Sequence, residues 1–349
     1  MAIDEQATER ALIIRSAREN PLDAGSGLTA WDVGVAVFLL GLLFVATFLN
    51  LAPARQSIGW ALSYTLLGIA PPLVLSLLEH LTRPAGPRKS AKKWVLHFQI
   101  ILAHFATVIP VSLLATYLAS LIVKFLGLNL GLIDLRIGSG KEIPVIIAAF
   151  LLNVLIFDFF FYWYHRSLHK SSILWQAHKM HHMDTEFDAL TGPRQNWLDS
   201  FIEMFFAWIP MAVLFKLDVI DPLDTGLIQG AIIGLLTLFT YQNHSNLRLQ
   251  FGRFSVVFIS SQTHRIHHSY LPQHRDKNFV AFFPIWDILF GTYYHPARDE
   301  FPLTGVEGER EIQSVWEVQI FALREWRRMF RAHRRGHSIN ELQLNGKVD

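Results

Sequence analysis

The sequence predicts an all-α integral membrane protein: a multi-helix transmembrane bundle with a cytoplasmic helical cap that carries clustered histidines. Three observations carry the prediction. The 349 residues are 51% hydrophobic with a mean hydropathy of +0.28, too apolar for a soluble domain built on one core. Six stretches are apolar over close to the 20 or so residues needed to cross a bilayer. Three dense histidine clusters fall just past the ends of those stretches.

In chain order, residues 1–30 form a polar cytoplasmic segment with Asp4, Glu5, Glu9, Arg10, Arg15 and Arg18, and no secretory signal peptide is legible. The apolar stretches run over 31–51, 59–79, 97–124, 143–163, 201–217 and 225–241. Pro71, Pro72 and Pro110 lie inside the second and third, where neighbouring helices can satisfy the freed backbone groups. The fifth stretch is short and is joined to the sixth by Asp218–Asp224, a helical hairpin. Orientation follows from the basic loops. Arg83, Arg88, Lys89, Lys92 and Lys93 place segment 80–96 in the cytoplasm. Counting crossings puts loops 52–58 and 218–224 outside, and 164–200 and 242–349 inside. All the histidine clusters then share the cytoplasmic side. Residues 309–335 read as a helix with Ile312, Trp316, Ile320, Leu323 and Phe330 at near-helical spacing and six arginines on other faces. That pattern suits either an anionic membrane surface or packing onto the cap.

Composition excludes several classes of function. The net charge of +2 gives no electrostatic footprint for nucleic acid. The absence of cysteine excludes disulfides, thiolate-ligated haem and protein-held iron–sulfur clusters. The 27 Phe and 10 Trp fit lipid contact and interfacial anchoring.

The histidines carry the chemistry. His165 and His169 are followed by His178, His181 and His182, and the second spacing recurs as His264, His267 and His268. Residues three and four apart share a helix face, and neutral imidazole suits divalent iron, zinc and copper. Eight nitrogens exceed what one ion takes, so the clusters read as a two-metal centre. A structural zinc site would close at four ligands. The zinc-protease pattern needs Glu after its first histidine, whereas Arg166 and Lys179 stand there. Bis-histidine haem needs only one ligand on each side. A proton relay or metal transporter would place its polar groups near the bilayer midplane.

From about Asp158 to Tyr293 the sequence resembles the fatty acid hydroxylase and sterol desaturase superfamily of membrane di-iron oxygenases. The likeness rests on the three clusters, Thr191-Gly-Pro-Arg194, Tyr241-Gln-Asn-His-Ser-Asn246, Asp276-Lys-Asn-Phe279 and Trp286-Asp-Ile-Leu-Phe-Gly-Thr292. Around His178 to Arg194 it is similar to alkylglycerol monooxygenases and bacterial sterol-desaturase-like proteins. The resemblance implies two iron ions at His165, His169, His178, His181, His182, His244, His264, His267 and His268. His274 could be a tenth ligand or a supporting group. Asp158, Asp184 and Glu186 read as carboxylates that orient imidazoles, or as solvated or capping groups. His80, His97, His104, His295, His333 and His337 lack the spacing and read as structural. The implied activity is oxygen-dependent: dioxygen is the co-substrate, and a lipid (sterol, fatty acyl or ether lipid) is hydroxylated or desaturated. No flavin or nicotinamide fingerprint is present, so the resemblance implies an external electron donor, a ferredoxin or a small haem protein with its reductase. The alternative is a non-enzymatic membrane metal-binding or transport protein. The implied organisation is a polar segment 1–30, transmembrane helices over 31–141, a di-iron catalytic domain over 142–300 and a basic amphipathic segment over 301–349.

Overall fold

A computed structural model describes residues 74–82, 84–127, 132, 143–215 and 237–335. The stretch 31–51, most of 59–79 and 225–241, both outside loops and the segments 1–30 and 336–349 lie outside the described residues. Within them the architecture is all-helical: no strand forms, and two isolated bridges pair Pro84 with Leu247 and Ser269 with Thr304.

Helix α1, Ala91–Phe125, is 35 residues long. Among the described residues it is the helix that meets the length and hydropathy needed to cross a membrane. It begins before the apolar stretch because its first turns belong to the cap. Ser90 donates its N–H to Glu186 at 2.7 Å, and Lys93 pairs with Glu186 and Glu311. Ile100 to Ala103 are buried, whereas Leu113, Leu114, Tyr117 and Phe125 are exposed. Pro110 does not interrupt it.

Helix α2, Ile143–Lys170, carries the fourth apolar stretch and continues beyond it, so that His165 and His169 lie inside the helix rather than after it. It ends at Ser171, which caps α3, Ser172–His182, by accepting from the N–H of Leu174. Asn196 caps α4, Trp197–Glu203, through Leu198 and Asp199. A π-helical turn at Met204–Trp208 then leads into α5, Ile209–Leu214. Pro210 sits at the start of α5, where a missing N–H costs least. The described part of the fifth apolar stretch, 201–215, is therefore two short helices about a wide turn. Residues 237–243 are helical. Ser260 caps α6, Ser261–His267; α7 is Ile285–Leu289; Ser314 caps α8, Val315–Arg334.

One core joins α1, α3 and α8 through Ile100, Leu102, Met180, Met183, Val315, Val318 and Phe321. The face that α8 buries is thus Val315, Val318, Phe321, Ala322 and Met329. Of the face read from the sequence, Ile312 is buried and precedes the helix, while Trp316, Ile320, Leu323 and Phe330 point outward. The helix has two apolar stripes, and the one interrupted by charge is the one that packs. Its buried Glu325 is paired with Lys179, Arg324 and Arg328. A second cluster packs Phe157 of α2 on Ala207, Met211 and Phe215, and a third gathers Tyr162, Ile259, Phe279 and Val280.

Candidate metal centre

The two H-x-x-H-H motifs lie on α3 and α6, and helix geometry divides each of them. At 100° per residue, positions i and i+4 are 40° apart, while i+3 and i+4 are 100° apart. The outer pair of each motif therefore faces one way and the middle histidine another. The structure uses this division. His178 and His182 of α3 join His165 and His169 of α2 in one group, and the middle histidine of α6, His267, completes it. His264 and His268 of α6 form the second group with His244 and the middle histidine of α3, His181. Within each group one nitrogen per ring lies within 4.8 Å of all the others. The groups abut where His182 and His268 stack at 4.2 Å. These nine are the histidines expected from the sequence.

Four of the outer nitrogens are fastened, while Nδ1 of His181, His264 and His268 is buried with no hydrogen-bond partner. His165 donates Nδ1–H to the carbonyl of Phe279 at 2.7 Å, His267 to that of Lys277 at 2.7 Å, and His244 to that of Thr240 at 2.6 Å. His178 donates Nδ1–H to Asp199 at 3.1 Å, and the hydroxyl of Tyr164 donates to the same carboxylate at 2.5 Å. A proton held on Nδ1 leaves Nε2 as a lone pair. The Nε2 atoms then converge: His165 on His178 at 3.1 Å, His182 on His178 at 3.1 Å, and His244 on both His181 and His264 at 3.1 and 3.0 Å. Two lone pairs at that distance repel. They also lie at the separation of two ligands about 2.1 Å from a common ion at a right angle, about 3 Å. The Nε2 atoms of His169 and His267 are buried with no hydrogen-bond partner.

Burial first, and repulsion among the rings behind it, holds His165, His169, His181, His182, His264 and His268 well below the usual imidazole pKa. Burial likewise pushes His244 down to about 4 and His267 to about 3. Neutral nitrogen donors, four of them with the tautomer fixed by a partner, suit a divalent transition metal, so this donor set fits a pair of such ions.

The short motifs around the clusters act as the frame. Asp276 and Asn278 adopt left-handed backbone, with φ of 60° and 57°. The turn this makes directs the Lys277 and Phe279 carbonyls at two histidines of the first group. Asn278 pins the turn by donating to the carbonyls of Thr263 and Tyr294. Residues 279–283 run without a partner strand, and two carboxylates take their five N–H groups. Asp287 accepts from Phe279 and Val280, and Asp158 from Ala281, Phe282 and Phe283. Gly192 leaves room for the second group, because a Cβ there would stand 3.2 Å from Nδ1 of His244.

The carboxylates expected to orient imidazoles have other work. Asp158 serves the 281–283 backbone. Asp184 binds Lys89 at 2.8 Å, and Glu186 binds Lys93 and the Ser90 N–H. Burial alone would raise the Asp184 carboxyl; Lys89, His97 and Arg194 outweigh it and hold the group well below the carboxylate range. Asp199 takes the orienting part, and no spacing rule marked it. A third cluster of His97, Asp184 and Asp188 has the Lys89 ammonium among its members, at 2.8, 2.8 and 3.0 Å; that place belongs to a salt bridge. His274 lies outside both groups, its Nε2 3.0 Å from Glu300. His80 and His295 bond to the Ser76 carbonyl and the Tyr293 hydroxyl, and His337 is outside the described residues.

Comparison with known proteins bears on the same segment. Residues 150–292 match the family model described as fatty acid hydroxylase. The chain is 29% identical to the alkylglycerol monooxygenase of Xenopus tropicalis over 41% of its own length and 30% of the relative's. It is 28% identical to the ornithine lipid hydroxylase of Rhizobium tropici over 46% of each. It is also 28% identical to the Delta(7)-sterol 5(6)-desaturase of Aspergillus fumigatus, over 45% of this chain and 44% of that one. The alignments thus cover less than half the length of these relatives. No solved structure matches the chain. The segment 150–292 is a fatty acid hydroxylase domain, and these relatives belong to the superfamily that the histidine clusters resemble.

Proposed function

We propose, for a chain that carries a fatty acid hydroxylase domain, that it is a multi-pass membrane oxidoreductase using dioxygen at two iron ions to hydroxylate or desaturate a C–H bond of a lipid. The observation that carries the reading is the convergence of nine imidazoles, all but His169 buried, as a group of five and a group of four. The relatives' names point the same way: they specify an alkylglycerol, an ornithine lipid and a sterol. A purely metal-binding or transport role is not favoured, since these relatives are enzymes.

His165, His169, His178, His182 and His267 would hold one ion, and His181, His244, His264 and His268 the other. When bound, the ferrous pair would supply the electrons and the Lewis acidity that activate dioxygen toward an unactivated C–H bond. The chain's own part is preorganisation. Asp199 and the carbonyls of Phe279, Lys277 and Thr240 hold four rings in the ligating tautomer. Phe187 and Phe279, both fully buried, lie against the rings of His268 and of His165, His169 and His267 and keep water from them. The proposal places the clusters on the cytoplasmic side, with electrons arriving from a separate ferredoxin or small haem protein.

The site follows directly on the apolar part of α2, which puts the metals near the membrane boundary. Attack is then expected near a polar headgroup, or on a rigid lipid entering end-on. The test is to express the chain, and separately a His267→Ala variant, under ¹⁸O₂ and to locate new oxygen or unsaturation in the cell lipids by fragmentation mass spectrometry. The reading predicts a lipid modified only in cells with the parent chain, close to its headgroup or ring end. Identical lipids in the two strains would contradict the activity, and modification confined to mid-chain methylenes would contradict the placement.

A further inference from the structure

The chain after the third histidine cluster does not stay at the level of the cluster. Trp286 of α7 donates its indole N–H to the carbonyl of Leu155 at 3.1 Å and meets Phe159 edge-on at 4.9 Å. Phe290 stacks on Tyr162 and contacts Trp163. Leu155 precedes His165 by ten residues, about 15 Å along a helix axis at 1.5 Å per residue. Segment 279–286 therefore runs back down α2, beside the part read as crossing the membrane, and by Phe290 the chain has returned to the level of Tyr162 and Trp163.

A second turn accompanies it. The 3₁₀ turn Gly252–Val256 leads to Ile259, whose N–H donates to the carbonyl of Phe282. Ser255 accepts from the Tyr293 hydroxyl, and Phe258 meets Phe283. Together the two turns expose Phe254, Val256, Val257, Phe258, Ile285, Ile288 and Leu289, with Phe254 at 69% and Leu289 at 64%. Each turn is too short for a hydropathy window to register.

We infer that turns 252–258 and 284–290 are embedded in the leaflet next to the metal centre, as a shallow apolar rim beside α2. The inference rests on the reading of 143–163 as a membrane span. Three observations select lipid as the occupant. The patch packs beside α2, which itself exposes Ile147, Leu151 and Leu152 in the stretch read as a span. Its only ionisable residues are Asp287, which is buried, and Arg253, long enough to snorkel to the headgroups; a protein-docking interface carries a polar rim. The N–H groups of the backbone that descends with it are satisfied as membrane depth requires, because Asp158 and Asp287 take every one from 279 to 283.

The native chain has no cysteine, so single cysteines can be placed at Phe254, Ile288 and Leu289, with Leu151 as the reference on α2 and Asp299 as the exposed polar reference. The full chain is reconstituted in phosphatidylcholine vesicles, nitroxide-labelled, and its collision with oxygen and with a water-soluble nickel chelate is read by power saturation. Oxygen collision matching Leu151 and nickel collision several-fold below Asp299 are expected at all three rim positions. Nickel access equal to Asp299, as for a surface awaiting a soluble partner, would overturn the inference. Access to neither reagent would also overturn it, because another part of this chain would then cover the patch. If Leu151 itself behaves like Asp299, the inference falls together with the span on which it rests; a water-exposed rim beside a lipid-exposed Leu151 refutes the rim alone.

Discussion

Asp199 shows how much of the centre depends on residues that ligate nothing. Its carboxylate holds the Nδ1 proton of His178 and is itself held by Tyr164, so the lone pair of His178 Nε2 faces inward. Replacing such a partner typically weakens metal binding by about 10–100-fold. Asp199→Asn is therefore expected to lower iron affinity within that range at the five-histidine group, with the four-histidine group unaffected, as read by metal retention against a graded chelator. Tyr164→Phe should have a smaller effect in the same direction. Unchanged retention in Asp199→Asn would mean that packing alone orients His178. Eight of the nine histidines were legible in the sequence from their helical spacing, though not their division between two groups; His244 stands alone and was marked only by the resemblance of Tyr241–Asn246. Asp199 was not legible, because nothing periodic ties it to His178, 21 residues away. The carbonyls of Lys277 and Phe279 were less legible still, since every residue has one. The trace they left is the Asp276–Asn278 pair, two residue types that tolerate left-handed backbone.

At the scale of elements, the site hangs on a segment that is neither helix nor strand. Residues 279–283 present two faces: the N–H groups go to Asp158 and Asp287, and the carbonyls of Phe279, Ala281 and Phe282 go to His165, Asn243 and Ile259. Asp287→Ala would release two backbone bonds to a charged acceptor, each worth about 1.5–3 kcal/mol. We expect a loss of roughly 3 kcal/mol or more in stability, seen as a lower thermal midpoint in detergent, with iron lost from the five-histidine group first. A variant as stable as the parent would remove this segment from its supporting part. Hydropathy located α1 and α2 but misplaced their ends, because each helix continues into the cap with a polar sequence that an apolar count ignores. It also left the stripe of Trp316, Ile320, Leu323 and Phe330 open between a membrane surface and packing on the cap: two apolar faces on one helix cannot be ranked without the partner surface, here Ile100, Leu102 and Met180.

For the molecule as a whole, the burial of so many imidazoles makes stability without metal dependent on pH. In the unfolded chain a histidine titrates near 6.5. In the folded chain His244 and His267 are held down to about 4 and about 3, and six others well below the usual value. As pH falls below about 6.5 the unfolded state takes up protons that the folded state refuses, so stability declines with falling pH, at up to about 1.4 kcal/mol per unit for each such group. The metal-free protein is expected to keep its full stability above about pH 7 and to lose its folded state steeply between about pH 6.5 and 4, as followed by thermal denaturation across that range. A midpoint that does not move through this range would contradict the buried, neutral state of the centre.

The central claim is that the nine histidines form two metal sites with crossed contributions from α3 and α6. It is tested most directly by counting metal in the purified full chain, its single variants His178→Ala and His264→Ala, and the double variant. The account predicts close to two iron per chain in the parent, about one in each single variant and almost none in the double. One iron or fewer in the parent, a metal other than iron, or two retained after either substitution would contradict it.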